Sequence, residues 1–130
     1  MLIIARAKGV IRDMHRLLWA KSIDNKWLNL SNLDLTNLHA TGVYLIWHGG
    51  ENPRIVRIGQ GNIAARLAAH RLNHQIMRYV ESGPMMVTWA EIDDQATRDG
   101  IETYLVKQFT PLIKDKVPEV RPIQASSPFL

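Results

Sequence analysis

Cysteine is absent from the 130-residue chain. That excludes disulfide frameworks, thiolate zinc sites and thiol catalysis together, and it fits a reducing, cytoplasmic compartment. Long apolar runs are also missing. None approaches the roughly 18 residues of a membrane span, so no membrane partner is expected. The start from Met1 to Lys8 meets Arg6 and Lys8 too early to read as a signal peptide. Internal repeats and low-complexity tracts are lacking as well. What remains is a globular composition, 46% apolar and 22% charged. Its length suits one domain with a short appendage, burying roughly two-thirds of its extended surface on folding.

Acidic residues are scarce in one part of the chain. Residues 1–80 hold eleven cations against four acids, a net +7, whereas residues 81–130 hold five against eight, a net −3. Ten of the sixteen cations are arginine, whose planar fork suits bidentate phosphate contacts. A solvated basic surface and a polyanion partner are both compatible with this polarity.

Residues 10–21 have helical spacing, with Val10, Met14, Leu17, Leu18 and Ala20 to bury. Residues 22–40, rich in Asn, Ser, Asp and Thr, read as loops and turns pinned by Trp27, Leu30, Leu33, Leu35 and Leu38. Residues 42–47 and 54–58 are β-rich runs separated by a Gly-Gly-containing turn, a hairpin. Gly59-Gln60-Gly61 is expected to end the second strand, with Asn62 capping a helix that runs through Val80. A third strand over 85–92 and a second helix from Asp93–Asp94 to about Phe109 follow, stopped by Pro111. The Pro-containing tail from Val117 is expected to pack along the domain. The order β-β-α-β-α on a small sheet predicts an α/β or α+β domain.

Chemistry concentrates on the two helices. Stepping about 100° per residue from Ile63 puts Ala64, Ala65, Ala68, Ala69, Leu72, Ile76 and Tyr79 on one side, a small-residue face expected to lie on the sheet. Arg66, His70, Arg71, His74 and Arg78 gather around the opposite side. Arg71 and Arg78 read as ordinary solvated residues. Arg66 and His70 differ, because they follow a glycine-rich turn at a helix N-terminus, which attracts anions. On the second helix Glu102 falls within the stripe of Ile101, Leu105, Phe109 and Val106. A carboxylate there needs a cation, hydrogen-bond donors or a metal. An ion pair with an arginine, Arg66 included, and a Mg²⁺ site completed by waters and substrate phosphate are the two readings.

The run Gly42-Val43-Tyr44, then Arg57-Ile58-Gly59, then Arg66, His70, Glu102 and Pro111 resembles the GIY-YIG nuclease family over residues 41–116. The resemblance implies a small three-stranded antiparallel sheet flanked by helices, here with an N-terminal helical or loop extension over 1–40 and a tail over 117–130. It implies a DNA endonuclease that hydrolyses phosphodiester bonds with a single Mg²⁺ or Mn²⁺. Tyr44 would help activate water, Arg66 would bind the scissile phosphate, and Glu102 would hold the metal. His70 matches a histidine of some branches, placed to take or relay a proton. Arg57, Gln60 and Lys114 stand as substrate-binding candidates.

Two positions depart from the family pattern. Arg57 stands where the second motif has tyrosine, and arginine cannot take over a phenol's proton chemistry. Lys114 aligns with a late asparagine and offers donors only, although Asp115 beside it compensates if the loop shifts by one residue. A second reading follows from these departures: a nuclease-like domain without chemistry that binds DNA phosphates or a partner protein. A zinc site from His70 and His74 lacks both cysteine and the Glu of H-E-x-x-H. Target choice would be weak or supplied by a partner protein. For Tyr44, core packing beside Ile46 and a catalytic role are both open.

Overall fold

The structure, a computed structural model, describes residues 14–129. Its central strand is β2 (Thr41–His48), whose Gly-Val-Tyr-Leu-Ile-Trp run is buried throughout. A strand apolar at successive positions must be covered on both faces, and both are covered here. Tyr44 and Ile46 point into one core with Leu30, Val56, Ile76 and Val87. Val43, Leu45 and Trp47 point into the other with Ile58 and Ala90.

Around β2 the chain builds β1 (Leu28–Asn29), β3 (Arg54–Asn62) and β4 (Met85–Glu91) into one antiparallel sheet ordered β1-β4-β2-β3. The helices are α1 (Ile63–Arg71), the single turn α2 (His74–Met77) continuing into a 3₁₀ turn over Arg78–Ser82, and α3 (Gln95–Phe109). Ile63 and Leu67 of α1 enter the Tyr44 core; Ile101 and Leu105 of α3 enter the other. The architecture is α+β, with four strands rather than the three expected. The additional strand comes from the segment read as loops: Leu28 pairs with Val87 and Asn29 with Met86. Two residues carry no periodicity, so only pairing with β4 defines this strand.

Other boundaries also moved. β3 does not stop at Ile58 but pairs with β2 through Asn62, Gly61 lying opposite Gly42. Gly61 has φ +127°, a backbone region where side chains are strained. Asn62 caps α1 as anticipated, its side chain accepting from Ala65 N at 2.9 Å. The helix expected through Val80 breaks at Leu72–Asn73. There Leu72 N and Asn73 N bond three residues back, to Ala69 O and His70 O. The Asn73 side chain then caps α2 by accepting from Gln75 N at 2.9 Å.

The helix expected over 10–21 is absent from its described part, residues 14–21; the remainder lies outside the described residues. This stretch is non-helical and takes its hydrogen bonds from the tail and the sheet: His15 N donates to Gln124 O, Ser126 N to His15 O, and Ala20 N to Trp89 O. Its side chains alternate accordingly. Leu17 and Trp19 pack into the α3-side core, while Leu18, expected to be buried, is exposed.

The most consequential correction concerns α1. The alanine face was expected on the sheet, yet Ala65, Ala68 and Ala69 are exposed and Leu72 is 83% exposed. Ile63, Leu67 and His70 are the buried residues. Two large aliphatic side chains remove far more apolar surface from water than four alanines, so the helix turns its mixed face inward and brings the histidine with it. Arg71, read as solvated, is half-buried and donates through Nε to Leu30 O at 2.7 Å and through Nη2 to Leu33 O. It ties the loop after β1 to the helix.

This orientation makes a quantitative prediction. Leu67→Ala is expected to destabilise the protein by about 2–5 kcal/mol, whereas Ala68→Gln changes stability by less than about 0.5 kcal/mol. Urea unfolding of the two variants would return the reverse order if the alanine face were the one on the sheet.

Candidate active site

Strand β3 forms one edge of the sheet, and a cleft of about 490 Å³ opens along its second half. Tyr44, Arg57, Gln60, Arg66 and Glu102 all line this cleft, although they come from β2, β3, α1 and α3. Behind its wall stands His70.

Tyr44 is 1% exposed and lies opposite Gly59 in the β2–β3 register. Its ring crosses directly over that glycine. A Cβ on residue 59 would sit 2.6 Å from Tyr44 Cζ and overlap the hydroxyl, so the phenol reaches this position only because residue 59 has no side chain. Tyr44 Oη then meets His70 Nε2 at 2.5 Å. Burial pushes the Tyr44 hydroxyl up to about 12, against the opposing pull of Arg57 and Arg66. Burial, aided by the same two arginines, pushes His70 down to about 4. At neutral pH the pair is a phenol and an uncharged imidazole joined by one short hydrogen bond.

Two cations reach the cleft differently. Arg66 is exposed on the first turns of α1, and its guanidinium lies over Gly61, where an added Cβ would be 3.0 Å from Nε. Arg57 forms an ion pair with Asp115 from the segment after α3, and its buried Nε has no hydrogen-bond partner among the described residues. Asp115 thus takes the place at the cleft that Lys114 was expected to hold. Lys114 is exposed and outside the lining, and Lys116 faces the cleft instead.

Glu102 is 8% exposed, as its place in the apolar stripe implied. It does not pair with Arg66, and among the described residues it forms no ion pair. Its Oε1 accepts from Gln60 Nε2 at 3.0 Å. Burial raises its pKa first of all; the Gln60 hydrogen bond opposes the shift, and the nearby Asp99 and Asp115 charges add to it.

Gln95, Arg98 and Asp99 join Gln60 in one network. None of the three was singled out by sequence reasoning, although Asp99 stands one helical turn before Glu102. Only the register of β3 against α3 brings Gln60 into their midst. The zinc reading is not realised: His70 is buried against Tyr44, His74 is exposed beyond the helix break, and among the described residues no group of three His, Asp or Glu side chains converges. Of the N-terminal cations expected either to extend a phosphate-contact surface or to form the wet side of a capping helix, Arg16 is exposed, and Arg6, Lys8 and Arg12 lie outside the described residues.

Comparison with known proteins returns nothing: no family model, curated protein or solved structure matches the chain. The fold and the cleft therefore stand on their own geometry.

A pH effect follows from the buried imidazole. Between the usual 6.5 and about 4, the unfolded chain holds a proton on His70 that the folded chain does not. Stability therefore falls as pH drops through that window. Glu102, whose folded pKa is raised, contributes the opposite slope, so the difference between proteins is the informative quantity. Urea unfolding across pH 4–7 is expected to show a shallower acid-side loss in His70→Gln than in the wild type.

Proposed function

We propose that this chain is a divalent-metal-dependent DNA endonuclease that hydrolyses phosphodiester bonds. The observation that carries the reading is the meeting of Tyr44, with His70 behind it, Arg66 and Glu102 at a single cleft. Residues that resemble the GIY-YIG working set, scattered over 59 positions from Tyr44 to Glu102, have no structural need to meet at one cleft.

The chemistry assigned to each follows from its surroundings. His70 Nε2, 2.5 Å from the phenol oxygen, is placed to accept the Tyr44 proton. The phenol oxygen, so relieved, takes a proton from the attacking water. A phenol held at about 12 is protonated at neutral pH and becomes a base only by passing its proton on, which an imidazole held at about 4 takes only as charge develops on the bound phosphate. Arg66, exposed at the cleft and free of any ion pair among the described residues, donates to the scissile phosphate and stabilises charge developing on it.

The donor set suits a hard cation. Glu102 is a buried carboxylate at the cleft with no ion pair among the described residues, and one carboxylate with waters and substrate phosphate is a common way of holding Mg²⁺ or Mn²⁺. Cysteine is absent, which disfavours metals that take thiolate ligands. When bound, such an ion polarises the phosphoryl oxygens and eases departure of the leaving oxygen.

The binding-only reading drew on two substitutions that add positive charge near the groove. That basis weakens here, since Asp115 neutralises Arg57 and Lys114 lies outside the cleft. Arg57 is better read as a structural cation that anchors the segment after α3. Its partner Asp115 leaves Arg66 and Lys116 as the cleft cations available to phosphate.

Nicking of supercoiled plasmid DNA in Mg²⁺ or Mn²⁺ tests the proposal. Arg66→Ala is expected to slow cleavage by about 10²–10³-fold, and Tyr44→Phe by about 10²–10⁴-fold. Glu102→Ala is expected to remove metal-dependent cleavage altogether. Nicking that survives Glu102→Ala would exclude the metal-ligand role. Salt-sensitive DNA retention by a wild-type protein that never nicks would select the binding-only reading.

A further inference from the structure

We infer that Gln60 is a positioning residue that fixes Glu102 for a divalent cation, rather than a contact to substrate. The inference rests on the metal-holding role proposed above for Glu102.

Gln60 lies opposite Val43 in the strand register, which turns its side chain to the α3 face of the sheet. There its amide is fully engaged. Nε2 donates to Glu102 Oε1 at 3.0 Å and to Asp99 Oδ1 at 2.6 Å. Oε1 accepts from Gln95 Nε2 at 3.0 Å and from Arg98 Nε at 3.1 Å. A primary amide has two N–H donors and two acceptor lone pairs. All four are used, so a substrate phosphate gains a bond to Gln60 only by breaking one of these.

The amide cannot turn over. A flipped side chain would set its nitrogen against the N–H donors of Gln95 and Arg98, and its oxygen against two carboxylates. Arg98 fixes the acceptor side rigidly. It is 8% exposed and donates through Nη1 to Ile92 O at 2.8 Å and Asp93 O at 2.7 Å, and through Nη2 to Gln95 Oε1 at 2.7 Å. A continuous chain of bonds thus runs from the carbonyls of the β4–α3 loop, through Arg98 and Gln60, to the Glu102 carboxylate.

The residue type matters as much as the geometry. A lysine or arginine at position 60 would bring a full positive charge to Glu102 and Asp99, neutralise them and compete with any cation. A neutral donor orients Glu102 and bridges it to Asp99 without adding a charge that neutralises either. Such supporting partners commonly affect metal affinity by about 10–100-fold.

Mn²⁺ alone, titrated into the full chain and followed by the free-ion electron paramagnetic resonance signal, tests this directly. Gln60→Met keeps the length and removes every hydrogen bond. It is expected to weaken Mn²⁺ binding by about 10–100-fold. The Mg²⁺ concentration needed for half-maximal nicking should rise by a similar factor, with the rate recovered at saturating metal. Glu102→Gln is expected to lose the Mn²⁺ signal change entirely, and no metal concentration should rescue it. Gln60→Asn, one methylene too short to span both carboxylates, should reproduce the weakening and serves where the methionine variant does not fold. Wild-type binding with equal or tighter Mn²⁺ affinity in a folded Gln60 variant would overturn the positioning role alone. A wild-type protein that binds no Mn²⁺, with or without DNA, would overturn the metal-holding role of Glu102 beneath it.

Discussion

The candidate site depends on Tyr44 lying across Gly59 to reach His70. Tyr44 belongs to the central strand, where both faces are buried and a polar hydroxyl must find a partner. Gly59 clears the path between strands, and α1 supplies the partner because Ile63 and Leu67 turn the His70 side inward. Three separate choices, a glycine on β3, a tyrosine on β2 and an aliphatic pair on α1, serve one hydrogen bond. Adding a methyl group at residue 59 would strike the ring itself, so the contact tolerates little variation.

Around that bond the electrostatics divide the cleft into two walls. The α1 wall presents Arg66 over Gly61, a cation with no ion pair among the described residues. The α3 wall presents Glu102, buried and held by a neutral amide. Arg57 sits between them but is committed to Asp115, which limits positive charge at the centre of the cleft. Burial keeps both members of the Tyr44–His70 pair uncharged at neutral pH. The two arginines lower the proton affinity of both groups, favouring the ionised phenol and disfavouring the imidazolium.

Legibility differed sharply between elements. The hairpin, the Asn62 cap, the third main strand and the span of α3 follow from local signals: β-branched runs, glycine turns, a capping asparagine and the proline after the helix. The burial of Glu102 was likewise readable, because its place on the α3 wheel depends only on helical period. The two-residue strand β1 was not, since two residues carry no period. Residues 14–21 read as helix because Met14, Leu17 and Leu18 satisfy a helical stripe, while Leu17 and Trp19 equally satisfy an alternating one. Backbone bonds to the tail and to Trp89, remote in sequence, decided between them.

The face of α1 shows where local pattern ends. The wheel separated alanines from ionisable residues correctly, but Ile63 and Leu67 share the arc of Arg66 and His70. Which side turns inward depends on how much apolar area the sheet can cover, a quantity absent from the helix itself. Likewise the residue types needed for chemistry at Tyr44, Arg66, His70 and Glu102 were set by sequence, as was the lack of thiols. Their convergence was not, nor were the Arg57–Asp115 pair and the saturated Gln60 amide. Those rest on strand register and on helices packed against opposite faces, contacts between segments far apart in the chain whose geometry is settled only when the core closes.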